Sequence, residues 1–172
     1  MAITNTSSIT IIPVQDLISR VTVMNKSCKY VLSIIFSVGV CLCASGEPSD
    51  KLIEALCVVE SNNNVKAVGD NGKARGVLQL HKIYVKDASQ FSKEQFDYED
   101  AWSKDKSVKI VKAYLNHYGK VYERKTGKKP TDEVYARIHN GGPNGWNPKY
   151  QSKYANTSKY WTKVKKAMAV VK

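Results

Sequence analysis

Pro48-Ser49-Asp50-Lys51-Leu52-Ile53-Glu54-Ala55-Leu56-Cys57-Val58-Val59-Glu60-Ser61-Asn62-Asn63-Asn64 reads as a whole helix with its start and stop signals attached. Ser49 and Asp50 follow a proline and precede apolar residues at helical spacing, Leu52, Ile53, Leu56, Cys57 and Val59. The three asparagines end the run. Glu60 therefore falls at the end of a helix whose other face is buried. A carboxyl placed there is either exposed beyond the burial stripe or half-buried with a raised pKa.

Further elements lie downstream. A loop with Gly69, Asp70, Asn71 and Gly72 leads to the apolar run Val77-Leu78-Gln79-Leu80, which is expected to begin a short helix reaching Ala88. Any small β-hairpin belongs in this region. Val108, Val111, Leu115, Tyr118 and Tyr122 mark one face of a long helix with Gly127 near its end. Pro130 and Thr131 open another helix through Val134 to Ile138, which Gly141-Gly142-Pro143 terminates. A last helix, capped near Asn156 or Thr157, runs through Tyr160, Trp161, Val164 and Met168. The fold class is mainly α, an α+β domain with at most a small β-hairpin.

The chain has 172 residues, a formal net charge of +12 and 42% hydrophobic residues, enough for one core and too ordinary for a coiled coil, a collagen or a wholly disordered chain. One apolar stretch, Val31 to Cys43, is shorter than the roughly 20 residues that span a bilayer. Met24, Lys26 and Lys29 precede it and Ala44-Ser45-Gly46 follows, so residues 24–46 read as a secretory signal, with 1–23 an extension of uncertain status and 47–172 the working domain. An uncleaved anchor is the alternative reading. Cys28, Cys41 and Cys43 leave with the signal, so Cys57 stands alone and is expected to be a small buried residue without a disulfide. From Lys104 onward there are 17 basic residues and four acidic ones, a balance drawn to polyanions such as nucleic acid, anionic cell wall or an acidic membrane surface.

The ordered set Glu60-Ser61, a Gly-rich turn, Gly76-Val77-Leu78-Gln79-Leu80 and Asn140-Gly141-Gly142-Pro143 resembles the lysozyme-like superfamily. Two blocks narrow the resemblance to the invertebrate-type, or destabilase-type, lysozymes: Gly76 to Ala88, with Tyr84 and Asp87, and Ala136-Arg137-Ile138-His139-Asn140-Gly141-Gly142-Pro143-Asn144-Gly145 with Tyr160-Trp161 beyond it. It covers Leu52 to Lys166. One departure is large: where those enzymes carry cysteines, this chain has Ala74, Arg75, Ala88 and Trp146 at or near the corresponding places. Lytic transglycosylases resemble it more distantly.

The resemblance implies a helical domain around a glycan cleft and cleavage of the β-1,4 bond between N-acetylmuramic acid and N-acetylglucosamine in peptidoglycan. It implies Glu60 as the acid and Asp70 as the second carboxylate, since glycoside cleavage needs a proton on the leaving oxygen and stabilisation of an oxocarbenium-like centre. Ser61, Gln79, Tyr84, His139, Asn140, Gly141 and Gly142 take substrate-binding roles, and Tyr160 joins Tyr84 in lining the groove. On the residues alone, Asp70 is equally a turn residue bonding its own backbone, Ser61 a helix terminator, Gln79 a surface amide and His139 a packing residue. No metal-ligand spacing and no phosphate loop is present, and no cofactor is expected. The expected partners are peptidoglycan strands and a proteinaceous lysozyme inhibitor, with no specific nucleic acid, a membrane met only through the signal segment, and a monomeric, secreted or periplasmic protein. The alternatives are a lytic transglycosylase forming 1,6-anhydro products and a non-catalytic basic module that binds wall glycan or nucleic acid.

The export reading predicts that the mature protein starts between residues 45 and 47 and carries one thiol. N-terminal sequencing with thiol titration checks it; an intact N-terminus on cytoplasmic material would contradict it.

Overall fold

The computed structural model describes residues 46–171. The extension 1–23 and, apart from Gly46, the segment 24–46 lie outside the described residues. The elements run α1 (Asp50–Ser61), β1 (Val68–Gly69), β2 (Ala74–Arg75), β3 (Leu80–His81), α2 (Lys82–Phe91), α3 (Lys104–Thr126), α4 (Asp132–Gly141) and α5 (Gln151–Val170), with short 3-10 turns between them. This is the mainly helical α+β architecture expected.

Helix ends follow from local chemistry. The Ser49 hydroxyl accepts the Leu52 amide at 3.0 Å, and Asn62, in the left-handed region at φ 52°, closes α1 by donating its amide to Val58. Ser103 and Thr131 cap α3 and α4 in the same way, and Gly127, left-handed at φ 69°, ends α3. The buried face of α1 packs against α5 and α4, while α2 lies along α3. Leu52, Leu56, Leu78, Leu80, Ile110 and Leu115 are fully enclosed in the resulting core, each contributing about 1.5–3 kcal/mol by burial.

Three expectations are corrected. Val77 to Leu80 does not begin a helix: Gln79 is left-handed at φ 48°, Leu80-His81 pairs as β3, and the helix starts only at Lys82. Instead of at most a hairpin there is a three-stranded antiparallel sheet, ordered β1-β2-β3, with Gly69 opposite Ala74 and Ala74 opposite His81. The last helix begins at Gln151, not near Asn156 or Thr157. Thr157 resembles a cap in sequence, but it is 1% exposed and its hydroxyl donates to the Gly145 carbonyl at 2.7 Å, fastening α5 to the turn after α4.

The domain holds together without bridges. Cys57 is buried and free, as expected, and burial first of all pushes its thiol up to about 11. Two of the positions resembling lost cysteines are packed alanines, Ala74 and Ala88. At a third, the Arg75 guanidinium lies 4.1 Å from the Tyr98 ring centroid and 2.6 Å from Glu99. Arg137, buried on α4, is held by Glu133 of its own helix at 2.7 Å and joins α4 to α5 by donating to Ser158 at 2.9 Å. The Ser49 hydroxyl also donates to Asp132 at 2.8 Å, which ties the start of α1 to the start of α4.

Two glycines with positive φ separate backbone strain from crowding. At Gly72, φ 88°, a Cβ would meet nothing within 4 Å; at Gly76, φ 74°, it would lie 1.7 Å from the Ala101 carbonyl oxygen. Gly72→Ala should therefore cost about 1 kcal/mol, the left-handed penalty alone. Gly76→Ala should cost several times that, because the sheet must shift off the Tyr98–Trp102 turn. Urea unfolding of both variants checks this, and equal losses would contradict it.

Candidate active site

Glu60 is the penultimate residue of α1, with a side chain 18% exposed. Its Oε1 accepts the Tyr160 hydroxyl from α5 at 2.6 Å and lies 3.4 Å from His139 Nε2 on α4. The His139 ring is enclosed, at 4% exposure, and its Nδ1 stands 3.2 Å from the Tyr84 hydroxyl. Tyr84 in turn stacks on Tyr114 with ring centroids 3.7 Å apart. Helices α1, α2, α4 and α5 thus deliver one hydrogen-bonded row, Tyr84–His139–Glu60–Tyr160.

This row reverses the expected direction of the Glu60 pKa. Burial is the largest single influence and pushes the carboxyl up, but the hydrogen bond and charge of His139 and the hydroxyl of Tyr160 together outweigh it. The carboxyl sits below its ordinary value, while the negative charge of Asp70 works weakly the other way. Tyr160 is pushed well above its usual range, by burial and then by the Glu60 charge, so it stays a donor.

Asp70 occupies a different environment at the tip of the β1–β2 connection. It is left-handed at φ 47°, its side chain is 69% exposed, and Oδ2 lies 2.8 Å from His81 Nε2. The plain alternative for Asp70, bonding its own backbone, is not what its side chain does. Sheet register explains the neighbour: Gly69, Ala74 and His81 lie in one row across the three strands, and Asp70 directly follows Gly69. Gly69 is needed there for space and not for φ, which is an ordinary −126°; a Cβ on it would meet Gln79 Oε1 at 2.2 Å.

The remaining candidates divide. Glu60, Asp70, Gln79, Tyr84, His139 and Asn140 line a single cavity of about 320 Å³. Ser61 does not reach Glu60: its hydroxyl donates to the Val77 carbonyl at 2.9 Å and anchors the end of α1 to the sheet segment. Gln79 donates to the Gly76 carbonyl at 2.8 Å, which orients its side chain at the cavity wall. Gly141 has a packing reason, since a Cβ there would lie 2.5 Å from Thr157 Cγ2, and Gly142 has a backbone one at φ 70°. His81 is the site residue that sequence reasoning missed. No motif marks it, and only the register of β3 brings it to Asp70. Among the described residues, no group of three or more His, Cys, Asp or Glu side chains is gathered as a metal ion requires.

Known proteins resemble this chain in sequence and fold. The crystal structure of Tapes japonica lysozyme matches with 27% identity and a TM-score of 0.53, over 67% of this chain and 87% of that one. A chain of the crystal structure of Aeromonas hydrophila PliI in complex with Meretrix lusoria lysozyme matches more loosely, at 22% identity with a TM-score of 0.49, over 64% of this chain and 88% of that one. Residues 49–167 match the Destabilase family, a span that takes in every strand and all but the last turn of the helices described above, and on that match the chain belongs to the Destabilase family.

Proposed function

We propose that this chain is an exported glycoside hydrolase that cleaves the β-1,4 bond between N-acetylmuramic acid and N-acetylglucosamine in peptidoglycan. The observation that carries the reading is the pair of carboxyls in unlike surroundings on one cavity, Glu60 enclosed and hydrogen-bonded, Asp70 exposed on a turn. Family membership and the likeness to a lysozyme support it.

Glu60 supplies the proton, and His139 and Tyr160 position the carboxyl that carries it. In the free protein His139 and Tyr160, both on Oε1, hold the carboxyl below its ordinary pKa. A sugar covering the cavity removes water and strengthens the burial effect, which favours the protonated carboxyl. The Tyr84 hydroxyl, 3.2 Å from His139 Nδ1, gives the other ring nitrogen a partner and holds the imidazole facing Glu60. The protonated Glu60 donates to the glycosidic oxygen as the bond breaks. Asp70, kept oriented by His81, meets the developing positive charge at the anomeric carbon, either directly or by activating water.

Glu60→Gln keeps the shape without the proton and should lower the rate about 100-fold or more. Asp70→Asn removes the stabilising charge and should do likewise, whereas a transglycosylase, using the substrate's own acetamido group, would tolerate it. Turbidity loss of a bacterial wall suspension reads both, and near-normal activity in either variant would contradict its assigned role. A second prediction concerns pH. The Tyr160 hydroxyl favours the ionised carboxyl, so Tyr160→Phe should raise the Glu60 pKa and move the alkaline limb of kcat/KM to higher pH. An unmoved limb, or one shifted to lower pH, would contradict the row of hydrogen bonds.

A further inference from the structure

The basic residues of the second half are not equivalent. On the first half of α3 the lysines are spent on acidic neighbours: Lys104 meets Glu54 at 2.9 Å, Lys109 meets Glu94 at 3.2 Å, and Lys112 meets Asp50 at 2.7 Å. Lys106 shares Glu94 and Asp100 at 3.5 and 3.8 Å. On and just before α5 the situation is the opposite. Six lysines lie between residues 149 and 166, no acidic residue follows Glu133, and none of the ion pairs among the described residues involves any of the six. On and just before α5, unpaired lysines therefore stand with no acidic residue of their own segment to offset them.

That helix also leads out of the cavity. Asn140 lines both the Glu60 cavity and an adjoining one of about 400 Å³ whose other walls include Ser152, Lys153 and Asn156. From Ser152 the exposed positions Asn156, Lys159, Lys163 and Lys166 continue at spacings of three and four residues, so they form one stripe along the solvent face of α5. Successive lysines on it stand about 5–6 Å apart. The stripe holds no aromatic side chain on which a base could stack and no large apolar side chain to enter a bilayer. It holds no arginine fork either, only mobile point charges that follow a flexible chain of phosphates.

We propose that the Lys159–Lys163–Lys166 stripe is a binding surface for a phosphodiester polymer carried on the wall glycan. The proposal rests on the peptidoglycan reading, since a polymer attached to the glycan in the cavity is presented to the neighbouring stripe at high effective concentration. Binding is electrostatic, releases counterions, and holds the domain on its insoluble substrate between cleavages.

The test compares two triple variants of equal net charge, Lys159→Gln/Lys163→Gln/Lys166→Gln on the stripe and Lys106→Gln/Lys109→Gln/Lys112→Gln on α3. Purified polyglycerol phosphate is the probe in a binding titration over a range of salt. The stripe variant should bind about tenfold or more weakly at low salt, with the slope of log K on log salt reduced by about two, and the α3 variant should change by less than about threefold. Both should cleave polymer-free soluble peptidoglycan fragments at the wild-type rate. Equal losses in the two variants, or none in the stripe variant, would overturn the proposal. Tighter binding of a DNA duplex, or of phosphatidylglycerol vesicles, at equal charge concentration would overturn it in favour of that partner. A wild-type protein that binds the polymer but leaves the soluble fragments intact would instead overturn the hydrolase reading and keep the stripe.

Discussion

A carboxylate that is four-fifths enclosed must be paired or hydrogen-bonded, or it gives up its charge. Here Glu60 is answered from two directions, by the Tyr160 hydroxyl of α5 and the His139 imidazole of α4. Meeting that demand fixes where three helices stand relative to one another, because α1, α4 and α5 must converge on one oxygen atom. The remaining interhelical ties agree with the same geometry: Ser49 to Asp132 at the far end of α1, Arg137 to Ser158 and Thr157 to Gly145 between α4 and α5. The core around Leu52, Leu56 and Val164 supplies the burial that makes the carboxylate's partners matter.

The second carboxyl is held by other means. Asp70 sits on a turn between two-residue strands, so its position depends on sheet register, on the Gln79 side chain packed against Gly69 and on the close approach of the Ala101 carbonyl to Gly76. Its partner His81 is exposed to water, as it is itself. Such a contact orients more than it stabilises. One cavity thus has a wall made by packed helices and a wall made by a small sheet, and Glu60 belongs to the first.

Much of this was legible in the residues. Ser49, Thr131, Gly127 and the asparagines after Ser61 announce helix ends through local chemistry that operates whatever the tertiary fold. Glu60 and Asp70 could be named because their spacing and their company resemble a known family. What escaped notice depends on contacts between distant segments. Val77 to Leu80 is a short apolar run, ambiguous between helix and strand until Gln79 adopts a left-handed conformation against Gly76 and Gly69. Thr157 imitates a helix cap because a hydroxyl's service to Gly145, twelve residues earlier, leaves no local trace. His81 reaches Asp70 only through strand register. The lowered pKa of Glu60 arises from residues 79 and 100 positions further along the chain, His139 and Tyr160.

The central claim is that Glu60 and Asp70 act together in hydrolysis. Mass spectrometry of the products released from purified peptidoglycan tests it most directly, because a hydrolysed reducing end and a 1,6-anhydro end differ by one water. The account predicts muropeptides with hydrated reducing ends throughout the digestion. Products ending in 1,6-anhydro-N-acetylmuramic acid would contradict it, leaving Glu60 as the sole catalytic carboxyl and Asp70 as a turn residue beside His81.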